Sequence, residues 1–164
     1  MRWLRCRSPW SLSGFADGGN VSEFPDGWGC MVTTFRVDGI PVPQGSKKGF
    51  VVGRRAVLVD DNKDKLKPWR AKVAAAADLG ETFTGPVIVA AVFYMPRPKT
   101  VRRLLPSVKP DLDKLARALG DGMTDGGLIT DDALIVSWWI HKRYASEANP
   151  VGVRVLVMEA GEET

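Results

Sequence analysis

Hydrophobic and polar positions change period several times along this 164-residue chain, and each change marks an element. Thr33 to Asp38 alternates, with Phe35 and Val37 on one face, and Gly39 ends the run. "GFVVGRRAVLVD" reads as two short strands around Gly53-Arg54, a hairpin. A helix follows, with Pro68 at an early position, Trp69, Val73, Ala76 and Ala77 on one face, and Gly80 just past its end. "GPVIVAAVFYMP", Gly85 to Pro96, is apolar throughout, as a strand buried on both faces is. The basic, Pro-bounded "RPKTVRRLLPSVKP" predicts a surface loop. Leu112, Leu115, Ala116, Leu119 and Met123 then recur at helical spacing, one apolar stripe on a helix that begins near Asp111 to Asp113. Beyond Gly126-Gly127, Leu134 to Tyr144 alternates, with Leu134, Val136, Trp138 and Ile140 on one face. Ile135, Ser137, Trp139 and His141 take the other. Val151, Val153, Val155 and Val157 form a last alternating strand. The expected fold is α+β: a mixed β-sheet of five to six strands with two main helices.

Residues 1–30 show neither period. They are rich in Gly, Ser, Pro and Asp and hold three of the six tryptophans, which suggests a flexible leader, or a start assigned too far upstream with Met31 as the natural one. Residues 31–164 are then the folded domain, long enough for a real core. No apolar run reaches the ~18–20 residues of a membrane span. Cys6 and Cys30 both precede that domain and cannot staple it, so the expectation is a cytoplasmic protein without a disulfide framework.

Charge is unevenly divided. Met31 to Lys109 carries 15 Lys/Arg against 6 Asp/Glu, a balance of +9; Pro110 to Thr164 carries 5 against 10, a balance of −5. A basic half suits a polyanion such as nucleic acid, or is simply a solvated face. Lys109, Arg102, Arg103, Arg97 and Lys99 are candidate phosphate contacts, as are Lys142 and Arg143 after Trp139. The sole histidine, His141, reads as structural.

The acidic half concentrates its charge. Asp111, Asp113, Asp121, Asp125, Asp131 and Asp132 fall within 22 residues. Carboxylates that converge without His or Cys suit a hard cation, Mg²⁺ or Mn²⁺, and the chemistry implied is metal-assisted phosphodiester hydrolysis. Plainer readings stand beside it. Asp111 or Asp113 caps a helix, Asp125 belongs to a turn, and Asp131-Asp132 is a turn. Asp113, Arg117 and Asp121, spaced by four, form a solvent-facing ion-pair stripe. An EF-hand loop is excluded, because its glycine and terminal glutamate are missing. Alternatives from other classes are a non-catalytic DNA-binding protein with structural aspartates, and a D-x-D sugar-nucleotide transferase.

"KPDLDKLARALGDG…TDDALIV", with "HKRYA", "FRVDGIPVPQGSKK" and "FYMPRPK", resembles the RusA family of Holliday junction resolvases from about Thr33 to Met158. The resemblance implies a RusA-like nuclease domain in which Asp111, Asp113 and Asp132 bind the metal. Asp131 is a neighbour of less certain role, and Asp121 stands with it in a second tier. Arg117 occupies the position of a catalytically important lysine, and Lys114 stands where asparagine is common. An arginine there grips phosphate bidentately but does not release a proton. The family implies Mg²⁺ as cofactor, with Mn²⁺ as a substitute, and a homodimer that nicks two opposed strands of a four-way DNA junction. It also implies a bacterial or phage setting and association with the nucleoid.

Overall fold

A computed structural model of the chain describes residues 31–45, 47–52, 55–60 and 63–160, the two middle segments through their backbone. The leader, both cysteines and the Gly53-Arg54 turn lie outside the described residues. Among the described residues, six strands and two α-helices follow one another as β1 (Val32–Asp38), β2 (Lys47–Val52), β3 (Arg55–Asp60), α1 (Lys63–Ala77), β4 (Val87–Met95), α2 (Leu112–Asp125), β5 (Ile135–Tyr144) and β6 (Gly152–Glu159). The α+β class holds. The single sheet of five to six strands does not: β1, β6, β4 and β5 form a four-stranded sheet in that order, while β2 and β3 pair only with each other. The hairpin register, Val52 opposite Arg55, lets each of its strands satisfy the other without joining the main ladder.

The main sheet is mixed. β6 runs antiparallel to both β1 and β4, and β4 runs parallel to β5. A parallel neighbour needs a crossover, and α2 supplies it. The apolar run of β4 is central for the reason its sequence suggests: Val89, Ala91 and Phe93 join the helix-side core, Ala90, Val92 and Tyr94 the other face. Leu115, Leu119 and Met123 of α2 are fully buried against Val73 of α1 and Val153, Val155 and Val157 of β6.

Two local departures have physical causes. α1 begins five residues before Pro68, so the proline lies inside the helix. Its missing N–H removes one helical bond, but Leu66 and Trp69 on either side are buried and hold the turn. In β5 a register irregularity sets Val87 opposite Ile135 but Ile88 opposite Ser137. That extra residue shifts the side-chain phase. Ile135 takes the core side with Trp138 and Ile140, and Val136, expected inside, is 62% exposed. Trp138 and Trp139 do face opposite ways, one toward each core cluster.

Candidate active site

The helix start carries the first aspartates. Asp111 is the N-cap residue of α2, extended at φ −70° and ψ 141°, but its side chain makes no capping hydrogen bond. Its carboxylate pairs instead with the Lys114 ammonium at 3.2 Å. Asp113, in the first turn, is exposed. Residues three, four and seven positions on share a helical face, which aligns Asp113 with Ala116, Arg117 and Gly120.

The last aspartates return to that face by a route the sequence did not suggest. Ile135 pairs with Val87, so β5 begins at the end of the sheet opposite the loop that leaves β4 after Met95. Two contacts pin the intervening segment: the Phe83 amide donates to the Leu128 carbonyl at 2.8 Å, and the Thr82 hydroxyl to that of Gly127 at 2.8 Å. A single 3-10 turn, Asp132–Leu134, then leads into β5. Asp131 caps it, accepting from the Ala133 amide at 2.8 Å, and Asp132 is its first residue, so both aspartates lie in a turn. Asp132 is left pointing at the middle of α2. A Cβ placed on Gly120 would lie 3.7 Å from Asp132 Cβ and 3.6 Å from both Ile135 Cδ1 and Trp138 Cζ2, ordinary van der Waals distances that show how closely the turn and strand approach the helix there.

The outcome is a pocket of about 350 Å³ bounded by Asp113, Arg117, Gly120, Asp132, Trp138 and Ile140. The side chains of Asp113, Arg117 and Asp132 make no direct hydrogen bond or ion pair with any described residue, so two carboxylates and a guanidinium line one cavity without a direct partner. Asp111 does not join them; it lines a neighbouring groove with Lys114. Among the described residues no group of three acidic, His or Cys side chains is close enough to hold a metal ion. Two unpaired carboxylates still fit a hard cation such as Mg²⁺, which is commonly held by one or two carboxylates together with water and substrate phosphate.

Asp121 and Asp125 belong to a different device. Arg70 of α1 reaches Asp121 at 3.3 Å and Asp125 at 2.6 Å. Asp125 is thus the ion-paired last residue of α2 rather than a turn residue, and Asp121 pairs across helices rather than along its own. Burial pushes the Asp121 carboxyl above its ordinary value; Arg70 opposes this, while the Asp132 and Asp125 carboxylates add to it and Arg117 opposes it weakly. Folding therefore tightens the Asp121 proton. The stability linked to it is present at acid pH, below the unfolded value, and is lost as pH rises through the folded value. Asp121→Asn, which cannot ionise, escapes that loss, and Arg70 keeps Asp125. In EDTA, urea unfolding should find the variant more stable than wild type at about pH 7, with the gap closing toward about pH 4. A gap that widened on acidification would mean the carboxylate is net stabilising.

The basic candidates divide. Lys142 lies on the helix side of β5 and donates to the Val108 and Pro110 carbonyls, each at 2.8 Å, so its ammonium ties the loop down just before Asp111. Arg143, its neighbour on the strand, projects to the opposite face. Arg97 folds back over the Tyr144 ring at 5.4 Å. Arg102, Arg103 and Lys109 are exposed on the loop, beside Leu104, which is 84% exposed. Sequence reasoning missed Arg70, Gly120 and the Trp138–Ile140 wall. Gly120 alone left a signal, as a glycine on the edge of an otherwise apolar helical stripe. A family model described as endodeoxyribonuclease RusA matches residues 38–157. No curated protein matches the chain.

Proposed function

Since the chain belongs to the RusA family of endodeoxyribonucleases, which hydrolyse DNA phosphodiester bonds, we propose that it resolves four-way junctions by paired, symmetric nicks that require a divalent cation. The observation that carries the reading is the meeting of Asp113, Arg117 and Asp132, all unpaired among the described residues, in one pocket. Asp113 and Asp132 would hold the cation, and Asp111 would join them on leaving Lys114. Bound there, Mg²⁺ or Mn²⁺ would polarise the phosphodiester and lower the pKa of an attacking water.

The chain's own residues supply the rest. Arg117 grips a non-bridging phosphate oxygen pair bidentately and stabilises charge on the phosphorus centre as it builds. It does not transfer a proton, because guanidinium stays protonated. Ile135, Trp138 and Ile140 give the pocket an apolar wall that keeps bulk water from one side. Arg102, Arg103 and Lys109 lead the DNA backbone toward it, and Lys142 fixes the loop that leads into Asp111. A homodimer fits paired cuts, since two equivalent sites related by a two-fold axis reach two opposed strands.

Arg117→Ala is expected to slow single-turnover nicking about a hundredfold, the scale for loss of one charge-stabilising donor. Arg117→Lys, which keeps the charge but loses the fork, should lose only about tenfold. Equal rates for Ala and wild type would remove Arg117 from the chemistry. The proposal itself is tested by labelling each of the four junction strands in turn and sizing the products, with sedimentation of the free protein alongside. Cuts at symmetric positions on two opposed strands, from a dimer, support it. Scattered cuts, or a matched duplex cut as fast as the junction, refute it.

A further inference from the structure

A groove of about 710 Å³ lies beside the acid pocket, between the segment after β1, the loop after β4 and the start of α2. Asp111 and Lys114 line it, so it abuts the helix start that carries Asp113.

Three features say what it takes. Its walls are apolar and flat, with Pro43, Pro106 and Val108 among them. Its rim is basic: Lys65, Arg103 and Lys109 are all exposed, and the single carboxylate lining it, Asp111, is ion-paired. Gln44 and Tyr144 line it, and two of their polar atoms, Gln44 Oε1 and the Tyr144 hydroxyl, have no hydrogen-bond partner; both are covered in the free protein, so a ligand reaches them only as the lining parts. Such atoms lose about 1–3 kcal/mol each unless a ligand satisfies them. Both are held in place by other groups. The Gln44 amide nitrogen of the backbone donates to the Lys114 carbonyl at 2.9 Å, and the Tyr144 ring lies under the Arg97 guanidinium. A glutamine side chain offers an acceptor and a donor side by side, the pattern that pairs with the edge of a base.

We propose that this groove receives one unpaired nucleotide of the DNA strand being cut, and that Gln44 and Tyr144 read the edge of its base while Lys65, Arg103 and Lys109 hold the flanking phosphates. The inference rests on the junction-cutting reading for its substrate. A base held here fixes which phosphodiester reaches Asp113 and Asp132, so Gln44 and Tyr144 are specificity-determining residues. Volume agrees with the assignment, because the groove lies within the ~300–1,000 Å³ range of sites for small ligands. The bases beside a branch point are the ones least costly to unstack.

The test separates base capture from cutting. A four-way junction carrying 2-aminopurine at successive positions around the branch point is titrated with protein in EDTA, where fluorescence rises when the base leaves its stack. One position should brighten with wild type. Gln44→Leu should reduce that rise several-fold, as should Tyr144→Phe, which deletes one oxygen that makes no hydrogen bond in the free protein. No bright position, or equal rises in all three proteins, overturns the proposal whether or not the protein cuts. With Mg²⁺, rates across junctions that vary the bases at the branch should spread in wild type, and the ratio of fastest to slowest should fall by about 10–100-fold in Gln44→Leu. A uniform drop that preserves the ratio refutes base reading. A wild type that brightens a base but never cuts would leave the groove standing and defeat the proposed nuclease reading alone.

Discussion

Asp113→Asn is expected to bind a four-way junction at least as tightly as wild type and to nick it at least about a thousandfold more slowly. The substitution keeps the size and shape of the side chain and removes its charge from a pocket where it has no ion-pair partner among the described residues. A carboxylate that helps to seat a cation, and so to stabilise charge on the phosphorus, accounts for several kcal/mol of barrier. At about 1.36 kcal/mol for each tenfold change in rate, that is three decades or more. On the proposed reading phosphate contacts elsewhere govern binding, so the slope of log affinity against log salt should not change. Asp132→Asn should behave alike, whereas Asp131→Asn should cut at near wild-type rate, because Asp131 is engaged with the Ala133 amide. If Asp131 rather than Asp132 proved essential, the pocket described here would not be the reacting one.

Gly126→Ala is expected to cost about 3 kcal/mol of stability, at the upper end for overpacking a close contact. Gly122 and Gly126 lie one turn apart on α2, where α1 crosses. A Cβ at Gly126 would meet the Ala74 carbonyl oxygen, with Ala74 Cα at 2.9 Å and its carbonyl carbon at 3.0 Å. Those are backbone atoms, so no rotamer change relieves the clash and the helices must separate. Gly126 itself sits at φ −84° and ψ −4°, which any residue adopts, so sterics alone decide. Thermal unfolding should drop on the order of 10 °C. Gly85→Ala is the control, since nothing lies within 4 Å of its added Cβ. A Gly126→Ala protein melting with wild type would mean α1 is not seated on α2 as described.

That helix crossing illustrates what the sequence discloses. The apolar run of β4, the alternation of β6 and the Leu115–Leu119–Met123 stripe are local patterns with one reading each, and all three elements appear where expected. The hairpin pairing was equally local. What escaped needs knowledge of partners distant in sequence. Arg70 meets Asp125 across 55 positions, and no pattern in either helix announces it. The extra residue that turns Val136 outward depends on how β5 registers with β4. Whether β2 and β3 extend the main sheet depends on edges that patterning does not reveal. The aspartates were legible as a cluster, but the division of labour was not. Asp111 and Asp131 are occupied by Lys114 and the Ala133 amide, and only the fold shows that Asp113 and Asp132 are the pair that faces Arg117.

The central claim is that this pair makes a cation-dependent cutting site for branched DNA. The most direct measurement incubates the chain with a labelled four-way junction and a matched linear duplex, each in Mg²⁺ and in EDTA. Cutting of the junction alone, and only with the cation, is the predicted result. Junction binding without cutting in either Mg²⁺ or Mn²⁺, or cutting that persists in EDTA, would contradict it.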